Sequence, residues 1–228
     1  MEEIIQFDKH LLLMLNGSDS LYLDGVVLTL TKATTWIPLY FSLLYLTIKN
    51  SISWRPVLLV IAAAGLCVLL AGTVDDEIVK PLVARWRPTH DPQIGSLVDV
   101  ANGYRGGNYG FFSAHASNTF SIALFFSLLF RNRWLTCGLV TYSLINCWTR
   151  LYLGVHYPGD ITVGLLWGAI VGFCVYRLFC YAHKKLLSTD SSQFTLHSTQ
   201  YLVPLVVLAL TFLYAFIRGW LIMDTLAV

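Results

Sequence analysis

Six stretches of this chain are apolar over close to the length of a bilayer crossing, near residues 32–49, 57–76, 113–131, 134–150, 161–181 and 201–222. A helical span needs about 20 apolar residues. Within hydrocarbon, every backbone amide and carbonyl has to find its partner inside the protein. The expected fold is therefore all-α: a polytopic membrane helical bundle of about six transmembrane helices, with a polar connector at one face. Composition agrees, because 56% of the 228 residues are hydrophobic and only 12% are charged, against about a quarter in a soluble domain. That length accommodates one membrane domain and no second soluble one. The first span could begin earlier, since residues 21–30 are also apolar apart from Asp24.

Before the first span, residues 3–16 place Ile4, Ile5, Leu11, Leu12 and Leu15 toward one side of a helix. An amphipathic segment of this kind lies on a membrane surface rather than crossing it. It lacks the basic start and small-residue cleavage site of a signal peptide. The five cysteines fall inside apolar runs with no CxxC pair, so they read as small buried hydrophobes rather than disulfides or metal ligands. A net charge of +2 gives no reason to expect nucleic acid as a partner. No sequence signal bears on oligomeric state.

Lysines and arginines orient the bundle. With six spans, the odd-numbered loops hold Lys49, Arg55, Arg131, Arg133, Arg177, Lys184 and Lys185, with Asp190 as their one acid. Those loops are expected in the cytoplasm. The long connector, residues 75–111, then faces outward, while the Ser/Thr-rich segment 183–200 is a plain cytoplasmic loop.

Three polar clusters would emerge together on the outward face. The first runs from Lys80 to Arg87 and Pro88, the second is Phe112-Ser113-Ala114-His115, and the third spans Thr149-Arg150 to His156 and Asp160. On a helical stretch Lys80 and Arg87, seven apart, would share a face. Converging cations call for an anion, and guanidinium forks match phosphate oxygens. Ser113 offers a hydroxyl, and the amides of Ala114 and His115 open a helix whose N-terminus favours anions. His156 with Asp160 four residues on suits an imidazole held in one tautomer, its other nitrogen free to attack phosphorus. His115, on a different helix, can protonate the leaving oxygen. Such a cradle needs no metal and no cofactor.

These residues resemble the type 2 phosphatidic acid phosphatase superfamily, whose pattern is K-x6-R-P, then P-S-G-H, then S-R-x5-H-x3-D. Lys80, Arg87 and Pro88 match the first element, Ser113 and His115 the second, and Arg150, His156 and Asp160 the third. Phe112, Ala114 and Thr149 replace the usual Pro, Gly and Ser. The resemblance implies catalysis by His156 as nucleophile and His115 as general acid, with Asp160 orienting His156. It implies that Lys80, Arg87, Ser113, Arg150 and the backbone at Ala114 hold the phosphoryl group.

The expected substrate is a lipid phosphate entering from the bilayer: an isoprenoid diphosphate, phosphatidylglycerophosphate or phosphatidate, or a lipid A phosphate. The expected location is a bacterial inner membrane with the site facing the periplasm. Two alternatives stand beside this one: a phosphatase for small soluble esters, and a lipid-phosphate binding or transport protein without turnover. The glycines at 103, 106, 107 and 110, with Tyr104, Arg105, Asn108 and Tyr109, either let the connector turn or shape a headgroup entrance.

Overall fold

The computed structural model describes residues 2–187 and 199–226. Helix α1 (Glu2–Leu15) precedes α2 (Leu21–Leu30), and a 3-10 turn at Ala33–Trp36 leads into α3 (Ile37–Lys49). Helix α4 (Trp54–Val68) continues through a π-wound stretch, Leu69–Val79, into α5 (Lys80–Val83). Then follow α6 (Ala114–Phe130), α7 (Arg133–Tyr152), α8 (Pro158–Leu187) and α9 (Leu202–Leu226). Among the described residues there is no strand, only an isolated bridge between Trp86 and Tyr109.

Three helical stretches are long and apolar enough to cross a membrane, Trp54–Val83, Pro158–Leu186 and Leu202–Leu226. The other three expected spans are helices as well, but less simple ones. α3 has 13 residues, about 20 Å of helix. α6 has 17, about 26 Å, and α7 carries Thr136, Thr141, Asn146 and Thr149 among its apolar residues. These helices lean on neighbours: α3, α6 and α7 contribute Leu39, Leu43, Phe125, Leu135, Leu139 and Tyr142 to the main core. Ser143 and Thr119 bond to each other at 2.9 Å within it.

Two expected boundaries need correction. The first span does not run unbroken from residue 32, because the 3-10 turn separates α2 from α3. The second does not end near residue 76. Its helix persists to Val83, with Asp75 buried against Lys80 at 2.7 Å and the exposed Asp76 pairing with the same ammonium at 2.5 Å. The segment 188–198, most of the expected polar cytoplasmic loop, lies outside the described residues.

The packing that positions the functional end is a close approach of α6 and α8. Gly164, Gly168 and Gly172 stand one turn apart on α8. A Cβ at these positions would come within 2.7, 2.6 and 2.7 Å of the carbonyl oxygens of Ser113, Ser117 and Ser121 on α6. Small residues at this spacing let membrane helices approach backbone to backbone. The start of α6 is thereby set beside the start of α8, and the Ser113 amide donates to the Asp160 carbonyl at 3.2 Å. A two-residue turn, with Arg131 left-handed at φ 50° and Asn132 capping Leu135 N at 3.0 Å, folds α7 back along α6. Outward-facing Leu166, Ile170 and Phe173 on α8 and Leu210, Leu213 and Ile217 on α9 are half or more exposed, as a lipid-facing surface requires.

Candidate active site

All three polar clusters meet at one end of the bundle. The site starts from Arg87, which is not on a helix. Ala84 adopts a left-handed conformation (φ 48°) and ends α5. Arg87 is extended (φ −67°, ψ 151°), as a residue before proline must be. The expectation that Lys80 and Arg87 share one helical face is therefore wrong, though both still reach the same end of the bundle.

The Arg87 amide donates to the Asn108 carbonyl at 2.8 Å. Its side chain donates from Nε to the Tyr109 carbonyl (3.1 Å) and from NH1 to the Val155 carbonyl (3.2 Å). The same NH1 lies 3.2 Å from His156 Nε2. Gly110 makes room for this: a Cβ there would stand 2.9 Å from Arg87 Cγ and 3.5 Å from His156 Nδ1.

His156 sits in the tight turn between α7 and α8, opened by Gly154 at φ 61°. It is 2% exposed. Its Nδ1 faces Asp160 Oδ2 at 3.6 Å, longer than a hydrogen bond. Burial holds the imidazole well below its ordinary pKa, and the charges of Arg87, Arg150 and Lys80 push it further down. The ring is therefore a neutral base with Nε2 turned toward cations.

Asp160, fully buried in the first turn of α8, accepts from the Tyr157 amide at 2.9 Å. Its other oxygen accepts from Arg85 NH1 at 2.6 Å. Arg85 also donates to Asp8 of α1 at 2.7 Å and stacks over the Tyr157 ring at 4.1 Å.

Arg150, in the last turn of α7, is 2% exposed. Its NH1 donates to Thr31 Oγ1, and both terminal nitrogens donate to the Tyr104 hydroxyl, at 3.2 and 3.1 Å. Among the described residues its Nε has no hydrogen-bond partner. Among the described residues, neither Arg87 nor Arg150 has a carboxylate partner, whereas Lys80 and Arg85 each have two. Arg150 is buried and Arg87 half-buried, and a guanidinium withdrawn from water without a counter-charge is costly, so this pair is suited to an anionic ligand.

The remaining expected residues lie close by. Ser113 is buried and uses its oxygen to cap α6, accepting from Ala116 N at 3.4 Å. Ala114 begins α6, where backbone amides have no intrahelical partner. His115, partly buried, places Nε2 3.4 Å from the Thr31 carbonyl. A 590 Å³ cavity opens beside His115 and runs between α3, α4, α6 and α7, lined by Trp36, Leu43, Ala64, Ile122 and Phe126 among others.

Residues 33–184 match the sequence profile of the PAP2 superfamily. The chain belongs to the PAP2 superfamily. It is similar to a lipid A 4'-phosphatase of Bacteroides thetaiotaomicron, 39% identical over 185 residues that cover 81% of this chain and 80% of the relative. A lipid A 4'-phosphatase of Porphyromonas gingivalis is 35% identical over 190 residues, 83% and 80% of the two chains. A decaprenylphosphoryl-5-phosphoribose phosphatase of Mycobacterium tuberculosis is 38% identical over 115 residues, 50% and 58%. No solved structure matches.

This PAP2 protein is thus an integral membrane enzyme, a phosphoric ester hydrolase. Two of its departures from the PAP2 pattern have structural partners. Phe112 is buried against Trp167, and Thr149 donates to the Asn146 carbonyl at 2.7 Å. Ala114 fits at the head of α6. Four further residues of the site, Asp8, Thr31, Arg85 and Tyr104, carry no motif of their own. The hydroxyl of Tyr104, a residue of the glycine-rich connector, accepts from Arg150. A sequence signal existed for Arg85 alone, as the first basic residue of Arg85-Trp86-Arg87.

Proposed function

We propose that this protein removes a phosphomonoester from a lipid A-type acylated sugar by way of a phosphohistidine on His156. The observation that carries this is the pair of guanidiniums, Arg150 buried and Arg87 half-buried, without carboxylate partners among the described residues, with the neutral His156 Nε2 3.2 Å from Arg87. Lys80, Arg87, Arg150, Ser113 and the amides at the start of α6 hold the phosphoryl oxygens, so charge is neutralised as the phosphoryl group transfers. Nε2 attacks phosphorus while Asp160 steadies the opposite side of the ring. His115 protonates the departing sugar oxygen and later takes a proton from the water that hydrolyses the phosphohistidine. No metal is required in this scheme.

A lipid substrate is supported by the cavity beside His115. From His115 to Phe126 it follows eleven residues of α6, about 16 Å, close to half of a bilayer core of about 30 Å. A phosphatase for small soluble esters has no use for it. Lipid A is favoured over an isoprenoid phosphate because the lipid A 4'-phosphatases align with about four-fifths of this chain and the decaprenylphosphoryl enzyme with half. The site faces the periplasm of an inner membrane in this proposal, and α1 lies on that surface with Ile4, Phe7 and Met14 exposed.

The test is phosphate release by purified protein from lipid A carrying its 4'-phosphate, from undecaprenyl diphosphate and from phosphatidate, with His156→Ala alongside. Release from lipid A that is lost in His156→Ala is expected. Equal activity in the variant would refute the mechanism, and preference for the isoprenoid would refute the substrate.

A further inference from the structure

Among the cations of the site, Arg85 links Asp160 to the surface helix α1. Its guanidinium bridges two carboxylates, Asp160 at 2.6 Å and Asp8 at 2.7 Å. Asp8 is bound twice: Oδ2 to Arg85, and Oδ1 to the amide of Gly159, immediately before Asp160. A Cβ on Gly159 would stand 2.8 Å from Asp8 Oδ2, so glycine there leaves the carboxylate its place. α1 is held in register by Lys9, which pairs with Asp91 (2.7 Å) and donates to Gln93 (2.8 Å), and by buried Leu12. Tyr157, under the Arg85 guanidinium, donates to the same Asp91 at 2.7 Å.

The result is a row of alternating charge, Asp8, Arg85, Asp160, ending on His156 Nδ1 at 3.6 Å. We propose that Arg85 and Asp8 are positioning residues for the phosphatase reaction, fixing the orientation of Asp160 and how much of its charge acts on His156. This rests on His156 being the nucleophile. It also makes the surface helix α1 part of the catalytic apparatus: Asp8 is held in place only while α1 is docked.

The other charged or titratable groups facing this row are few. Arg85 meets Asp8 from α1, Asp160 from α8 and Tyr157 from the turn. His156 meets Arg87 from the connector, Arg150 from α7, Lys80 from α5 and His115 from α6. In the row itself the signs are determined. Neutralising Arg85 removes the strongest cation acting on Asp160, so the Asp160–His156 pair takes up its proton at a higher pH. Neutralising Asp8 lets Arg85 oppose Asp160 more fully, so the pair takes up its proton at a lower pH. The pair titrates as a unit, which makes these signs independent of which partner holds the proton.

The experiment compares wild type, Arg85→Gln, Arg85→Lys and Asp8→Asn, using lipid A with its 4'-phosphate in mixed micelles and recording kcat/KM against pH. The acid limb should move up by about one pH unit in Arg85→Gln and down by a smaller amount in Asp8→Asn, as expected for a charge within contact distance. Arg85→Lys, which keeps the charge, should return the limb close to wild type. A merely structural role lowers activity without opposite displacements. Should Arg85→Gln fail to fold, Asp8→Asn and Arg85→Lys still decide the matter. Unmoved limbs, or displacements in the same direction, overturn the proposal.

A second readout does not depend on turnover: the ring-nitrogen NMR titration of His156, identified by its loss in His156→Ala. If wild type releases no phosphate, the functional assignment fails, and this titration still tests the charge row by the same opposite displacements.

Discussion

Asp75 lies fully buried with its carboxylate 2.7 Å from the Lys80 ammonium, five residues further along the same helix. That spacing is out of register for an α-helix, but Leu69–Val79 is π-wound and the Lys80 amide bonds to the Asp75 carbonyl. The i→i+5 bond of a π-helix thus brings the two side chains together, and in the proposed mechanism a phosphate competes with Asp75 and Asp76 for Lys80.

Lys80→Ala removes a proposed phosphate ligand and strands the buried Asp75 carboxylate. It should destabilise the protein by about 3 kcal/mol, the usual scale for breaking a buried pair from one side, and raise KM. Adding Asp75→Ala should restore most of the stability, measured by thermal unfolding in detergent, without restoring KM. Full kinetic recovery in the double variant would mean that Lys80 does not contact substrate.

His115→Asn should slow phosphate release from a sugar phosphate by about 10² to 10⁴, the range for loss of a general acid. An aryl phosphate ester whose leaving group needs no proton should lose far less. An equal loss on both ester types would move His115 from proton transfer to structure.

The depressed pKa of His156 has two consequences with the same sign. Activity needs the neutral ring, so kcat/KM should stay level as pH falls through about 6.5, the ordinary imidazole value, and decline only at lower pH. Stability behaves differently in onset. Below about 6.5 the unfolded chain binds a proton that native His156 refuses, so stability falls with further acidification until the folded pKa is reached. A midpoint of activity at or above the ordinary imidazole value would contradict the geometry around His156.

Phosphate release should survive chelation of divalent cations and be inhibited by orthovanadate, which can take the trigonal arrangement of the transferring phosphoryl group among Lys80, Arg87 and Arg150. Loss of activity in chelator, restored by a divalent ion, would exclude the metal-free scheme.

What could be known before folding was what depends on local chemistry. Spans follow from apolar length, because the bilayer sets one thickness for all of them. The cations, the two histidines and Asp160 were legible because their types and spacings suit a phosphoryl group wherever the helices lie. The end of the second span lies beyond residue 76 because Asp75, which by its charge belongs to the polar connector, is buried against Lys80 within a helix that continues to Val83.

Tertiary structure alone decided the rest. Arg85 meets Asp160 across 75 residues and Asp8 across 77, and Thr31 reaches Arg150 across 119. Such meetings depend on how closely whole helices approach, as the Gly164–Gly168–Gly172 face of α8 does to α6. Ionic contacts are short-ranged in their geometry, so helix displacements of a few ångströms would separate partners that the order of residues never linked.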